Sequence, residues 1–286
     1  MKVPNRIQPL VEDGLIDEVI SRLMSGKEAT VYVVRCGDEI RCAKVYKDAA
    51  QRSFKNAVQY QEGRKVKNSR RSRAMEKGSK YGRSQQEAAW HNTEVDALKK
   101  LLEAGVRVPE TFGCIDGVLI MELITDEQGH VAPRLDDVSM DAEQAIEDHH
   151  VMMHYIVKML SVGLIHGDLS EFNVLVDEYG PVIIDLPQVV DASGNNNAQW
   201  MLTRDVDKIT DYYAQFAPEL KQTKYAKEIW ALYQSGDLTA DSELTGLFVE
   251  DETNANVDDV LAEIQAAIAE EESRLERIRS ANEDDD

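Results

Sequence analysis

The stretch Leu164–Asn173 reads LIHGDLSEFN and sets a carboxylate, Asp168, five residues before a carboxamide, Asn173. Seventeen residues after Asp168 a second carboxylate, Asp185, ends the apolar run Val182–Ile184. An acid, an amide and a second acid at these intervals, flanked by strand-like segments, meet the needs of phosphoryl transfer from a metal-bound nucleotide. One acid orients the acceptor hydroxyl, while the amide and the other acid hold a cation against the phosphates. Asp168 takes the first role and Asn173 with Asp185 the second. Carboxylates are weak bases, but a loose transition state asks for positioning more than deprotonation. Hard oxygen donors of this kind suit Mg2+ or Mn2+. His166 reads as a brace for the loop.

Three further segments offer parts of a nucleotide site. Ser25-Gly26-Lys27-Glu28-Ala29 joins two strand-like runs, and inward-facing N–H groups there can cradle phosphates. With one glycine, it is equally a plain hairpin turn. Lys44 lies mid-strand in CAKVY and faces either solvent or a cleft. In a cleft it can bridge the α- and β-phosphates and pair with a helical glutamate, Glu94 first and Glu87 second. Met121-Glu122-Leu123-Ile124 ends a strand, where the Glu122 carbonyl and the Ile124 N–H can meet an adenine edge; a buried core strand reads the same way.

The elements that must hold these residues predict an α+β fold. Residues 18–24, 29–36 and 39–47 are strand-like, with turn chemistry at Cys36-Gly37-Asp38. Residues 85–104 are helical, with Trp90, Val95, Leu98, Leu101 and Leu102 on one face, Gly105 at the end and Pro109 beyond. Strands follow near 110–115 and 118–123, then a long helix over 139–162. Val174–Val176 and Val182–Ile184 form a hairpin, and Val206–Phe216 is amphipathic. This divides the chain into a helical lead-in (1–17), a β-rich lobe (18–124) with a basic flexible insertion (47–83), a reduced helical lobe (125–250) and an acidic helical tail (251–286).

Charge is unevenly spread. The 286 residues carry 32 Lys and Arg against 53 Asp and Glu, a net −21. Segment 52–83 holds 11 basic and 2 acidic residues, and segment 236–286 holds 17 acidic and 3 basic. The basic stretch can neutralise nucleic-acid phosphates, ribosomal RNA or a pre-ribosome included, or pair with the acidic tail. No apolar run is long enough for a membrane span or a signal peptide. Cys36, Cys42 and Cys114 show no CxxC spacing. They are expected to be reduced packing residues, which with the missing leader points to the cytoplasm.

Taken in order, SGKEATVY, AKVY, the basic insertion, MELI, APRL (Ala132–Leu135), HGDLSEFN and IDLPQ (Ile184–Gln188) resemble the RIO family of atypical protein kinases, within it the Rio1 branch, over about residues 10–215. The resemblance implies a bilobal protein-kinase-like fold with a β-rich N-lobe and a reduced, mainly helical C-lobe. It implies ATP, Mg2+ or Mn2+, and an autophosphorylating serine/threonine kinase with an unidentified protein substrate, itself included. It further implies an ATPase switch through an aspartyl phosphate on Asp185. By position, Ser25 and Lys27 would touch phosphates and Lys44 would pair with Glu94. Met121, Glu122 and Ile124 would bind adenine, Pro133 would lie beside the nucleotide, Asp168 would be catalytic, and Asn173 and Asp185 would hold the metal.

Departures from ordinary protein kinases are plain. Ser170 stands where a lysine usually follows the catalytic Asp by two residues. Asp185-Leu186-Pro187 replaces a glycine hinge with a stiffer segment. Ala217-Pro218-Glu219 reads as a coincidence with the end of an activation segment. The N-terminus is too short for the winged helix of the Rio2 branch. Two other functions compete: a small-molecule phosphotransferase, since HGDL also occurs in kinase-like antibiotic and choline phosphotransferases, and an RNA or ribosome assembly factor using the nucleotide as a timer.

Overall fold

A computed structural model of the chain describes residues 3–26, 29–47 and 93–249. Lys27, the insertion from residue 48 onward, Glu87, Trp90 and the tail 251–286 lie outside the described residues. Met1–Leu247 forms one compact unit; of the second, Phe248–Asp286, only 248 and 249 are described.

The three N-terminal strand-like runs become β1 (Glu18–Ser25), β2 (Ala29–Cys36) and β3 (Glu39–Tyr46). With β4 (Thr111–Ile115) and β5 (Val118–Glu122) they form an antiparallel sheet of order β1-β2-β3-β5-β4. Asp116-Gly117 joins the last two at φ +49° and +75°, the left-handed pair that a tight two-residue hairpin needs. Lys44 pairs with Val31 on one side and Leu119 on the other, so it stands on an inner strand.

Alternation along β3 decides where Lys44 points. Ala43 and Val45 face a core built with Val34, Val118 and Ile120, which Ile7, Leu10 and Ile16 close from the N-terminal segment. The short helix α1 (Gln8–Glu12) belongs to that cover, so residues expected to be a lead-in are part of the lobe's packing. Tyr46 faces the opposite core, and Lys44, two residues earlier, shares its side. Helix α2 (93–103) covers this second face with Val95, Leu98 and Leu101. Leu102, expected on the same stripe, is 44% exposed. One residue beyond Leu101 is a rotation of about 100°, which turns it from the sheet.

Among the described residues the second lobe is built on three helices, α3 (Ala142–Ser161), α4 (Ala198–Tyr213) and α5 (Tyr225–Ser235). Asp141 caps α3 by accepting the Gln144 N–H at 2.9 Å. Met152, Met153, Ile156 and Leu160 pack with Met201, Leu202, Val206 and Ile209 in one core. Ala217-Pro218-Glu219 lies where α4 gives way to a 3-10 turn, Pro218–Gln222.

Between α3 and α4 run four short strands: β6 (Leu164–Ile165), β7 (Val174–Asp177), β8 (Gly180–Ile183) and β9 (Val190–Asp191). β7 and β8 form the expected hairpin with Val174 opposite Ile183, and β6 pairs with β9. Ile184 falls just past the hairpin, where its N–H donates to the Asn173 carbonyl at 3.0 Å. The loop carrying Asp168 and Asn173 is thus strung between β6 and β7, and Asp185 between β8 and β9. Two strand pairs fix both loops side by side.

Candidate active site

Lys44 joins two of the other residues picked out from the sequence. Its Nζ lies 2.7 Å from Glu94 Oε1 and 2.6 Å from Asp185 Oδ1. The two carboxylates differ in setting: the Glu94 side chain is 3% exposed and that of Asp185 47%. Glu94 comes from α2, and its other oxygen accepts from the Tyr46 hydroxyl. Burial works against the charge on Lys44, but Asp185 and Glu94 together hold its amine well above the usual lysine range. Desolvation pushes the Asp185 carboxyl up, yet Lys44, helped by His166 and Arg134, brings it below the usual carboxylate range. Burial, then Glu94, raises the Tyr46 phenol well above its ordinary value.

Asp185 adopts φ +65°, a left-handed conformation that costs a residue with a Cβ about 1–2 kcal/mol. Hydrogen bonds on either side of Ile184 hold it there. The Ile184 N–H donates to the Asn173 carbonyl and its C=O accepts from His166 Nε2 at 3.1 Å. His166 Nδ1 accepts the Asp168 N–H at 3.3 Å. Through these two bonds the imidazole ties the two loops together. The brace expected of His166 is what the geometry shows.

Asn173 Nδ2 donates to the Asp168 carbonyl at 2.9 Å. That bond sets the amide orientation and leaves Oδ1 as an oxygen donor. With the outer oxygen of Asp185, this gives the two protein oxygens that a hard divalent cation commonly takes beside substrate phosphates and water. Among the described residues no group of three or more His, Cys, Asp or Glu forms a metal site.

The Asp168 carboxylate has partners of its own. Gln188 Nε2 donates to its Oδ2 at 3.2 Å, and Lys208 Nζ lies 3.4 Å from its Oδ1. The loop beneath is clamped to α4. Buried Asp205 accepts the Gly167 N–H at 2.7 Å and the Leu169 N–H at 3.1 Å, and the Arg204 guanidinium donates to the Gly167 carbonyl. Burial raises the Asp205 carboxyl even against His166, Arg204 and those two N–H donors.

The residues expected at the nucleotide's other end make other contacts. Ser25 Oγ is 3.3 Å from Thr30 Oγ1, and the Gly26 N–H donates to the Ala29 carbonyl at 2.9 Å; Lys27 lies outside the described residues. Lys47 Nζ holds the Gly26 carbonyl at 2.6 Å. Met121 pairs with Cys42 across the sheet. Glu122 accepts the Glu110 N–H at 3.1 Å. Ile124 is buried with Ala132 and Val182. Pro133 is exposed, and its carbonyl accepts the Val176 N–H at 2.9 Å.

Five participants escaped the sequence reading: Tyr46, Gln188, Arg204, Asp205 and Lys208. Asp205 left a visible sign, since it interrupts the apolar stripe Met201, Leu202, Val206, Ile209 of α4. Tyr46 left another, two residues from Lys44 on one strand.

Comparison with known proteins identifies the architecture. The RIO domain family matches residues 30–226. RIO-type serine/threonine-protein kinase Rio1 of Haloferax volcanii is 32% identical over 210 residues, covering 72% of this chain and 67% of that one. RIO-type serine/threonine-protein kinase Rio1 of Methanocaldococcus jannaschii is 31% identical over 200 residues, 69% of this chain and 63% of that one. Serine/threonine-protein kinase RIO1 of Chaetomium thermophilum is 29% identical over 220 residues, but this chain spans only 41% of its length. Sheet order, the paired loops and these relatives agree: the chain belongs to the RIO family of atypical serine/threonine-protein kinases, of the Rio1 type.

Proposed function

We propose that this RIO kinase transfers the γ-phosphoryl group of ATP to a serine or threonine hydroxyl of a protein, itself included, and that it also works as an ATPase switch through an aspartyl phosphate on Asp185. The observation that carries this reading is Lys44 shared between buried Glu94 and exposed Asp185. The first pairing holds the amine in the cleft; the second is open to exchange for phosphate oxygens. Asp168 would orient the acceptor hydroxyl. Asn173 and Asp185 would hold Mg2+ (or Mn2+), which screens the phosphate charge. Ser25 and Lys27 would meet the phosphates, Met121, Glu122 and Ile124 the adenine, and Pro133 the sugar side. The protein-kinase names of the relatives favour a protein acceptor over a small molecule.

Asp168→Asn tests the reading. ATP should still bind, because Lys44, Asn173 and Asp185 are untouched, while autophosphorylation falls by at least about a hundredfold. An Asp168→Asn protein that transfers phosphate normally would refute it. The basic stretch 52–83 supports a second role in contact with ribosomal RNA or a pre-ribosome. Binding there should weaken steeply with salt and vanish when 62–83 is deleted. Among the described residues no helix is long and apolar enough to cross a membrane.

A further inference from the structure

We propose that Lys208 is a positioning residue for phosphoryl transfer, supplying from helix α4 the cation that the Asp168 loop lacks. The inference rests on the phosphotransfer reading above and assigns a new participant to it. Position 170 holds a buried serine, 9% exposed, so the loop cannot itself place an amine beside Asp168. Lys208 Nζ lies 3.4 Å from Asp168 Oδ1, with both side chains about two-fifths exposed at the mouth of the site. Gln188 Nε2 holds the other oxygen at 3.2 Å, so each carboxylate oxygen meets a donor from outside the loop.

The placement follows from the helix register. Arg204 and Lys208 stand one turn apart on α4. Arg204 and Asp205 bind the Gly167 carbonyl and the Gly167 and Leu169 N–H groups, so the turn before Lys208 is fixed to the same loop. Lys208 is therefore carried over Asp168 by a clamped scaffold rather than by a free surface chain. An exposed ion pair does little for stability, which leaves its value in the reaction. There the acceptor oxygen bonds to the γ-phosphorus, and the bond to the β–γ bridging oxygen breaks with its electron pair leaving on ADP. The hydroxyl proton passes to Asp168. Lys208 keeps the carboxylate turned toward the acceptor and places a positive charge beside the transferring group, as fixed cations do in phosphoryl transfer.

The test compares Lys208→Met, Lys208→Gln and Lys208→Arg in the full chain, with Asp168→Asn as the control. Single-turnover autophosphorylation at saturating ATP, affinity for a fluorescent ATP analogue, and the urea midpoint are measured for each. The expected result is a rate lowered about ten- to hundredfold in Lys208→Met and Lys208→Gln. Nucleotide affinity and urea midpoint should stay within twofold and within error, respectively, and Lys208→Arg should recover most of the rate. Wild-type rates in Lys208→Met and Lys208→Gln beside an inactive Asp168→Asn would overturn the role of Lys208 while leaving the phosphotransfer reading intact. Activity in Asp168→Asn would remove that reading itself. A loss matched by a lowered urea midpoint and not recovered by Lys208→Arg would make Lys208 merely structural and also overturn the proposal.

Discussion

Removing the Lys44 amine should cost stability as well as activity, and the two losses can be separated. Glu94 is 2% exposed and, among the described residues, keeps only the Tyr46 hydroxyl when the amine is gone. Breaking a buried ion pair from one side costs about 3–5 kcal/mol. An independent ceiling comes from the escape route: at pH 7, protonating an ordinary glutamate costs about 3.7 kcal/mol. Lys44→Met should therefore lose about 3–4 kcal/mol at pH 7, a large share of the 5–15 kcal/mol typical of a domain, roughly. That loss should shrink by up to about 1.4 kcal/mol per unit as the pH falls, because the stranded carboxylate then takes its proton more cheaply. In Lys44→Met/Glu94→Gln no charge is stranded and the amide can still accept from Tyr46, so stability should return to within about 1 kcal/mol of the parent while transfer stays absent. Urea unfolding followed by tryptophan fluorescence at pH 7 and 5.5, with a radiolabelled ATP transfer assay, measures both. An unchanged urea midpoint in Lys44→Met, or a double variant no more stable than the single, would refute the buried-pair argument. Activity in the double variant would refute the need for the amine.

Asp205→Asn, which replaces one of two acceptor oxygens by a donor facing a backbone N–H, should lower stability by about 2–3 kcal/mol and lower kcat more than it raises the KM for ATP; denaturation and steady-state kinetics check this. His149 is fully buried, and burial, with His150 nearby, pulls its imidazole down to about 4. The unfolded chain takes the proton first, so this contribution is complete above pH 6.5 and is lost as pH falls toward 4, at up to about 1.4 kcal/mol per unit; a His149→Gln variant should show a flatter stability profile across that window. Asp185→Ala should abolish any hydroxylamine-sensitive phosphate and weaken metal–nucleotide binding, read by acid-stability of the label and by calorimetry.

What the sequence disclosed was short in range. The loop carrying Asp168 and Asn173 is a local word, and β-branched alternation made β2, β3 and the β7–β8 hairpin visible before any tertiary contact was known. Lys44 was ambiguous because a mid-strand lysine has two faces to choose from. The choice was made elsewhere: Ile7, Leu10 and Ile16 occupy one face of the sheet, and α2 brings Glu94 to the other. Leu102 misled because a helical stripe is wider on paper than on a flat sheet. The partners Gln188, Lys208 and Asp205 reach the loop from 20 to 40 residues away. The roles of Lys208 and Asp205 depend on how α4 is docked and that of Gln188 on the loop between β8 and β9, which no periodicity reveals. Asp205 alone carried a warning, since an acid in an apolar stripe must find donors or be expelled to water.

One amine serving two carboxylates explains how a cleft can be both rigid and ready. Were both partners buried, Lys44 would be locked and its charge spent; were both exposed, water would screen it and the strand would not hold it still. The 3% exposure of the Glu94 side chain makes that bond costly to break, whereas the 47% exposure of Asp185 makes its bond cheap to exchange. On the phosphotransfer reading proposed above, a triphosphate would take the place of Asp185 on the amine without disturbing Glu94. Asp185 would then be freed for its other partners. Its left-handed backbone, held by the Asn173 carbonyl and by His166 across Ile184, keeps the carboxylate from following the amine, so the exchange moves side chains and leaves the two loops where the strands put them.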